Sequence, residues 1–358
     1  MDNSVIGRIT EIKCNDILHD FNLGYISSQL EELVEDHNIV VEINKFTLTN
    51  TSITELKTNI FQIIKFKTII IKDNKLLEMI HPSAFSGSIN SLEEIIIMNS
   101  PRLSNQHPFD RDIFNFLSKF TNLKELRVKR TSIASIPSNA FYPANGVQYQ
   151  LKHVEFSENK IKEIGHFAFA NLPAGWLDII LNSNNINKIA SHSFKFHKES
   201  EEVVNTINLN DNQIDAEFIA NDAFTNIKRP IGTLYLRRNK IETLKENIFA
   251  PLFIRSQKSY FRLEVEGNKL RCDCSLSWLF TTKYCYSQEA QSKDALVIDQ
   301  ISGVKCSKDG LYDCSVIDSK LSPSCTPNHS CNIKASQIIL LAILIPCFFS
   351  LQMLNLIY

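Results

Sequence analysis

Hydrophobic and polar positions recur along the chain from Ile43 to Leu270 in a frame of apolar-x-x-apolar-x-apolar-x-x-Asn-x-apolar. The clearest copy has Val154 and Phe156 as its central apolar pair, followed by Asn159 and Ile161. Alternate side chains of a strand point to the same face, so the two central apolar residues point inward and the residue between them points outward. We find nine such copies and predict nine short parallel strands.

An asparagine occupies the polar position of the frame in six copies, with full spacing to the next apolar residue, such as Leu76 in the first of them. An inward amide both donates and accepts hydrogen bonds, and can therefore satisfy backbone groups where the chain turns inside the protein. We predict a ladder formed by Asn74, Asn159, Asn184, Asn212, Asn239 and Asn268. Three weaker copies have Thr51, Ser100 and Thr131 at this position, and the Ser100 copy needs a slip of one residue to reach Leu103.

A phenylalanine follows each polar position at a similar distance. A stack of these rings explains every member as core packing, so we predict an aromatic spine on the convex side rather than a cofactor site. Its members are Phe61, Phe85, Phe114, Phe141, Phe169, Phe194, Phe224 and Phe249. We also predict a helix over 109–117 in the longest repeat.

A period of about 27 residues is typical of leucine-rich repeats. We therefore predict an α/β solenoid, a leucine-rich-repeat horseshoe with a parallel concave sheet and a disulfide-rich C-terminal cap. The predicted divisions are a partial N-terminal cap (1–40), about nine repeats (41–270), the cysteine-rich cap (271–325), a linker (326–337) and an apolar segment (338–358).

Seven of the nine cysteines fall between Cys272 and Cys331, directly after the last repeat. The end of a stack exposes apolar surface and needs a lid, and small lids are commonly held by disulfides in oxidising compartments. Zinc binding by these cysteines is the minor alternative. Cys14 lies apart from the group, and we expect its partner in sequence upstream of Met1.

Strands, asparagines and cysteine-rich lid together resemble the extracellular leucine-rich-repeat family. The resemblance implies the pairs Cys272–Cys306 and Cys274–Cys325, and leaves Cys285–Cys314 as a further pair. The segments ISSQLEELVED, FTLTNTSITELKTNIF and CSKDG resemble arthropod proteins labelled after the non-catalytic subunit of shrimp luciferin 2-monooxygenase. That label implies an extracellular, non-enzymatic partner protein.

The 21 residues of 338–358 contain no charged side chain. As a helix they would span about 31 Å, close to the thickness of a hydrocarbon core. We predict membrane attachment, either by this helix or by a glycolipid anchor with a candidate cleavage site at Ser330-Cys331-Asn332. The first 13 residues have no apolar stretch, so we expect a signal missing from this sequence and a location on the extracellular face of the plasma membrane, or secretion. Two sequons, at Asn50 and Asn328, fit that route.

Charge and motifs argue against several classes of function. Lys plus Arg number 38 against 39 Asp plus Glu, a net charge of −1 that offers no general attraction to nucleic acid. The histidines are scattered, and the sequence contains neither a G-x-S-x-G elbow nor a glycine-rich phosphate loop. We predict a protein that is not an enzyme and has no metal or cofactor.

The outward positions of the strands then form the working surface, with a protein ligand or receptor as partner. We predict an exposed apolar patch of Ile70, Ile96 and Met98 and a basic step beside it of Arg127, Lys129 and Arg130. A second hypothesis places a contact at Tyr235, Arg237 and Arg238, because tyrosine and arginine are enriched at binding hot spots. The favoured function is a membrane-tethered protein-binding module. The alternatives are a non-catalytic subunit of a secreted oxidoreductase complex and a structural or matrix adhesion protein.

Overall fold

The computed structural model describes residues 10–16, 23–24, 28, 41–105, 112–142, 150–172, 177–196, 204–224, 231–254, 261–271, 276, 278 and 301–302. Within them the secondary structure consists mainly of short strands. In chain order the strands are β1 (Glu11–Asn15), β2 (Val41–Thr49), β3 (Glu55–Leu56), β4 (Ile64–Lys72), β5 (Met79–Ile80), β6 (Glu94–Ser100), β7 (Glu125–Thr131), β8 (Ser135–Ile136), β9 (His153–Glu155), β10 (Glu163–Ile164), β11 (Leu177–Ile180), β12 (Lys188–Ile189), β13 (Val204–Asn208), β14 (Ile231–Tyr235), β15 (Arg262–Glu264) and β16 (Ile301–Ser302).

Eleven of these described strands form one parallel sheet in the order β1-β2-β4-β6-β7-β9-β11-β13-β14-β15-β16. Each strand pairs with the next turn of the chain, which is the arrangement of a solenoid. The predicted leucine-rich-repeat solenoid is therefore confirmed. Nine of the strands, β2 to β15 in sheet order, lie within 41–270, and β1 and β16 extend the sheet at its two ends. On the opposite side, β8, β10 and β12 form a second parallel ladder of two-residue strands.

The core is a continuous apolar column because equivalent residues of successive turns lie in register. In β7, Leu126 and Val128 have no exposed surface and pair with Ile95 and Ile97 of β6. Full burial of such a side chain contributes about 1.5–3 kcal/mol. Since each turn shares this burial with its neighbours, the stability of the fold is approximately a sum of nearest-neighbour contributions.

The apolar frame is wrong by one position after Asn74. Leu77, not Leu76, is the fully buried residue, and its backbone N–H donates to the carbonyl of Asn74 at 3.3 Å. The Ser100 copy has the same longer spacing, with Leu103 buried and its N–H 3.0 Å from the carbonyl of Ser100. The loop after these two positions holds one more residue than the frame allows.

The six asparagines lie in one column along the inside of the turns. In a central member, the Asn212 Oδ1 accepts from the N–H of Ile186 in the preceding turn at 3.0 Å. Its Nδ2 donates to the carbonyls of Leu181, Leu209 and Asn210 at 3.0–3.1 Å. The threonines are joined to the column differently, since their hydroxyls donate to the next asparagine, for example Thr131 Oγ1 to Asn159 Oδ1 at 2.7 Å.

A second column, which the sequence frame does not predict, precedes the asparagine column by one residue. Its members have left-handed backbone with φ between 51° and 76°. Most of their N–H groups donate to a carbonyl of the next turn, as from Asp211 to Arg237 at 2.9 Å. We call this column the left-handed rim; it comprises Asp16, Asn50, Asp73, Asn99, Arg130, Glu158, Ser183, Asp211, Arg238 and Gly267.

The aromatic rings stack on the side of the core away from the large sheet. Phe194 lies between Phe169 and Phe224, with centroid distances of 5.2 Å to each and interplanar angles of 10°. The expected helix is shorter than 109–117: it spans Ile113–Leu117 and is capped by the Asp112 side chain, and residues 109–111 lie outside the described part. Its two phenylalanines divide the stack, because Phe116 contacts Phe85 and Phe114 contacts Phe141.

Both ends of the sheet carry structure from the predicted caps. Cys14 is an inward residue of β1, buried in the core. At the other end Leu276 and Trp278 are buried, and Trp278 Nε1 donates to the carbonyl of Leu244 at 2.7 Å. The three predicted disulfides among residues 272–325 lie outside the described residues, as does the apolar segment 338–358. Among the residues that are described, no helix is long and apolar enough to cross a membrane.

Candidate functional site

The solvent-facing side of the eleven-stranded sheet, which we call the concave face, presents the outward residue of every strand at a regular spacing. Adjacent strands lie about 4.8 Å apart. The strand register therefore determines which outward side chains of different repeats are neighbours. All nine residues of the predicted contact surface belong to described strands or to the residues that directly follow them.

The predicted apolar patch is contiguous. Ile70 of β4 pairs with Ile96 of β6, and Met98 lies two residues along the same strand opposite Lys72. The three apolar side chains are half-buried rather than exposed, because neighbouring side chains on a sheet cover one another. On its far side Ile70 pairs with Thr47, whose hydroxyl donates to Glu11 at 2.9 Å. We keep the name apolar patch for Ile70, Ile96 and Met98.

The predicted basic step beside the patch is neutralised by carboxylates. Arg127 pairs with Glu125 on its own strand, and Lys129 lies 2.9 Å from Glu155 and 3.3 Å from Glu158. Arg130 also contacts Glu158, at 2.7 Å. This ionic band, formed across β7 and the next turn, is no free patch of positive charge. It borders the apolar patch directly, since Ile96 pairs with Arg127 and Met98 with Lys129.

Ionisation in this band is strongly coupled to the fold. Burial disfavours the charged form of Glu155, but the His153 ring nitrogen at 3.7 Å, a hydrogen bond from Ser157 and the charge of Lys129 outweigh burial and lower the pKa of Glu155 to about 2. Burial likewise acts against the charge of Lys129, and the two glutamates raise its pKa above the ordinary value. Glu155 and Lys129 are therefore both charged at neutral pH.

The second predicted contact has the same character. Arg237 pairs with Glu264 and lies 3.4 Å from Glu266, and its guanidinium centre is 6.0 Å from the ring of Tyr235. Arg238, on the left-handed rim, donates to the Asp211 carboxylate at 2.6 Å, so its positive charge is already paired. Tyr235 remains half-buried on the concave face. Its ring is thus available, whereas the arginines beside it are already paired.

Between the two ionic groups the concave face carries mostly uncharged side chains. Asp178 of β11 is an acidic exception, and its Oδ1 accepts from Asn205 Nδ2 at 2.9 Å. Ile180 and Asn182 continue from β11, and Asn208 and Asn210 follow on the next turn. The Asn210 side chain accepts from the N–H of Arg237 at 2.7 Å. This region therefore supplies mainly amide groups.

The acidic partners of both basic clusters are not among the residues predicted from the sequence. Glu155 and Glu158 follow Lys129 by close to one repeat, so they lie on the neighbouring turn. The same holds for Arg237 with Glu264 and Glu266. Comparing the charge of each outward position with that one period later would have found these pairs.

One group on the opposite side resembles a catalytic set by composition only. Ser191 Oγ lies 2.7 Å from His192 Nδ1 and donates to Asp222 Oδ2 at 2.6 Å, and the same Asp222 oxygen is 3.2 Å from His192 Nδ1. A hydrolase triad requires serine and aspartate on different ring nitrogens, so this geometry cannot relay a proton. The His192 ring instead stacks on Phe167 at 5.0 Å. In the described part of the chain, no group of three His, Cys, Asp or Glu residues is placed to hold a metal.

The two sequons differ in what the structure says of them. Asn50 is exposed on the left-handed rim, and its Nδ2 donates to Asp16 Oδ1 at 2.7 Å. A glycan on this nitrogen would have to replace that contact. Asn328 lies outside the described residues. Glycosylation at both positions stays a prediction.

Repeat, ladder and parallel sheet define the class of protein: a leucine-rich-repeat solenoid. A family model described as BspA type leucine rich repeat region matches residues 37–113 and 111–254, in six copies. These matches cover more than half of the chain, which therefore belongs to the BspA-type leucine-rich-repeat family. Comparison with curated proteins gives no match.

Several solved structures are similar. One is the octameric complex of Latrophilin 3, Unc5D and FLRT2 (LRR), with a TM-score of 0.49, 20% identity, and coverage of 83% of this chain and 84% of that chain. Another is the Toll–Spatzle complex of Drosophila, with a TM-score of 0.45, 18% identity, and coverage of 74% of this chain and 32% of that chain. A third is human 5T4 (trophoblast glycoprotein), with a TM-score of 0.35, 13% identity, and coverage of 74% of this chain and 71% of that chain. At identities of 13–20% and TM-scores below 0.5, these similarities say nothing about the partners of this chain.

Proposed function

We propose that this chain is a non-enzymatic extracellular binding module that recognises a protein partner through the concave face. Its central contact is the apolar patch, and its location is the outer surface of the plasma membrane, to which 338–358 attaches it. The proposal rests on one observation: the apolar patch is a contiguous hydrophobic area whose border on the β7 side consists of charges that are already paired with one another.

The internal pairing of the ionic band matters for how a partner would bind. Lys129, Glu155 and Glu158 satisfy one another, so a partner gains little by pairing with any of them. Covering the half-buried side chains of Ile70, Ile96 and Met98 would remove apolar surface from water at about 25 cal/mol per Å². The favourable energy therefore comes from the patch, and the charged border contributes register and selectivity.

A standard interface is large enough to reach the second contact as well. Six strand spacings separate β4 from β14 in the sheet, which corresponds to about 29 Å. An interface burying roughly 800 Å² on each partner has a similar width. One partner seated on the apolar patch would therefore also cover Tyr235, whose ring is the second hydrophobic anchor on the face.

The test uses substitutions that introduce charge into the centre of the proposed contact. The full-length protein would be presented to an array of secreted and cell-surface ectodomains, and each binder measured by surface plasmon resonance. We expect Ile96→Asp with Arg127→Asp to weaken a true partner by more than about 100-fold, since burying an unpaired carboxylate costs several kcal/mol.

The matched control is Tyr142→Asp. Tyr142 is 63% exposed and lies away from the concave face, after the spine residue Phe141. It should keep wild-type affinity. Both proteins should show the same far-UV circular dichroism and thermal midpoint. Unchanged affinity in the Ile96/Arg127 variant would rule the patch out.

A non-catalytic subunit of a secreted enzyme complex would use the same face for a different kind of partner. Stable co-purification with an oxidoreductase chain would favour that role, which the narrower sequence resemblance implies. A matrix adhesion role would instead tolerate charge at Ile96. Release of the protein from cells by a phospholipase that cuts glycolipid anchors would distinguish such an anchor from a transmembrane helix.

A further inference from the structure

One turn departs from the repeat on the side where the short strands lie. Ile164, Ile189 and Ile219 are equivalent residues, because Ile164 pairs with Ile189 and Ile189 pairs with Ile219. The first two follow their ladder asparagines by five positions (159 to 164, 184 to 189), whereas Ile219 follows Asn212 by seven (212 to 219). This turn therefore contains a two-residue insertion.

The inserted residues form an ordered projection. They fold into a 3-10 helix, Ala216–Phe218, which begins with the Asp215 carboxylate accepting from the N–H of Glu217 at 3.0 Å. Ala216 and Ile219 fill the interior, so the core does not need the ring of Phe218. Phe218 is 61% exposed, in contrast to the buried phenylalanines of the spine.

Phe218 faces an open groove of about 640 Å³ that crosses successive turns. Lys162 and Lys240 lie towards its two ends, and the amides of Asn187 and Gln213 lie between them. Backbone hydrogen bonds of 2.9 Å join these turns in register, from Asn187 to Lys162 and from Lys240 to Ile214. Three turn spacings separate the repeat of Asn159 from that of Asn239, so the two lysines are about 14 Å apart along the stack.

The charge of the groove is positive. Lys188 pairs with Glu163 at 3.5 Å, and Glu217 beside the ring pairs with Lys245 at 2.8 Å. Within the described part of the chain, Lys162 and Lys240 have no ion pair. They differ in this from the basic residues of the two predicted contacts on the concave face, Arg127, Lys129, Arg130, Arg237 and Arg238. Asp215 is the one acidic residue of the groove lining, and it already accepts from the 3-10 helix.

We propose that this groove binds an extended acidic segment of a protein partner, independently of the concave face. Two carboxylates of the segment would pair with Lys162 and Lys240, and an apolar side chain between them would pack on Phe218. An extended chain rises about 3.3 Å per residue, so acidic residues four positions apart span about 13 Å, close to the separation of the lysines along the stack. The amides of Asn187 and Gln213 would bind the backbone of the segment.

The probe is the fluorescein-labelled peptide Ser-Glu-Ser-Phe-Ser-Glu-Ser, titrated with the full-length protein and followed by fluorescence anisotropy. We expect saturable binding that weakens as salt is raised. Replacing both glutamates of the peptide by glutamine, or its phenylalanine by serine, should weaken binding at least about fivefold. The variant Lys162→Glu with Lys240→Glu should lose at least about tenfold in affinity, and Phe218→Ala about fivefold.

Lys160→Glu is the matched control, because Lys160 lies on the same side but donates to Ser132 Oγ at 3.0 Å and does not line the groove. It and Ile96→Asp should bind the peptide as the wild type does. Equal binding of the glutamine peptide, or wild-type affinity in both groove variants, would overturn the proposal. So would preferential binding of a sulfated oligosaccharide, which would identify a site for polyanions rather than for a peptide.

Discussion

At the residue scale, the asparagine column supplies many of the buried side-chain hydrogen bonds that join neighbouring turns. Each central member joins two turns with one side chain, since its oxygen accepts from the preceding turn while its nitrogen donates to carbonyls of both. Asn212, at 2% exposure, shows this most fully. No water can replace these contacts without entry into the core. Loss of one amide therefore leaves several buried backbone groups without partners.

Asn212→Ala should lower the free energy of unfolding by about 2–4 kcal/mol, because at least two buried groups lose their partners. Urea denaturation followed by circular dichroism measures it. The control, Asn187→Ala, removes an exposed amide from the neighbouring turn and should change stability by less than about 0.5 kcal/mol. Equal effects of the two substitutions would show that the column is not a structural ladder.

The sequence predicts such residues well where spacing alone decides their environment. Asn159, Asn184 and Asn212 follow an apolar pair at a fixed distance, and the turn geometry then directs them inward. The prediction that Leu76 is the buried residue is wrong for the same reason. An extra loop residue changes the spacing without changing the composition, and Leu77 is buried instead. The exposed Phe218 is not predicted by the repeat frame, although the longer interval from Asn212 to Ile219 can be read from the sequence.

At the scale of elements, the pairing of β7 with β9 creates the ionic band. The sequence of either strand alone does not reveal this ion pair, because the strand register determines that Lys129 lies beside Glu155. The sequence of β7 alone therefore predicts an unpaired charge at Lys129. The band lies in a half-buried environment, where charge pairs are screened less than on an open surface. It couples the stability of the sheet to pH.

Glu155→Gln should reduce this dependence on pH. Glu155 ionises near pH 2 in the folded protein and near 4.5 as a free side chain, so its charged form stabilises the fold above about pH 4.5 and that contribution is lost as the pH falls towards 2. A shift of this size corresponds to roughly 3 kcal/mol. We expect the variant to be less stable at neutral pH and to lose less stability on acidification.

Urea midpoints over a series of pH values from neutral to acid give the measurement. Glu42→Gln serves as control, because the Glu42 side chain is 61% exposed and its ion pair with Lys65 at 3.6 Å is solvated. It should follow the wild-type curve. A parallel curve for Glu155→Gln would mean that the carboxylate contributes nothing to acid sensitivity.

At the scale of the whole molecule, stability and surface both derive from repetition. Positions one repeat apart are interchangeable in their backbone contacts, as the equivalent bonds of Asn184 and Asn212 show. Removing a complete turn should therefore leave a shorter but intact solenoid. Removing half a turn brings together positions that have opposite orientations.

Deletion of 184–211 joins Ser183 to Asn212, two residues in the relation that rim and ladder have in every turn. This variant should keep a cooperative urea transition, with lower stability because one set of neighbour contacts is lost. Deletion of 184–197 should abolish that transition. Far-UV circular dichroism with urea titration distinguishes the two, and loss of cooperative unfolding in both would contradict the modular account.

The left-handed rim bears on how much substitution the fold tolerates. A non-glycine residue in this conformation costs roughly 1–2 kcal/mol, and less for asparagine or aspartate. Nine of the ten corners nevertheless carry a side chain other than hydrogen, among them arginine, glutamate and serine. Glycine would relieve local backbone strain at these corners, and Ser183 is the simplest site because Arg130 and Glu158 belong to the ionic band. Because the rim side chains lie at the surface, residues of the rim can be replaced while the packed interior stays the same.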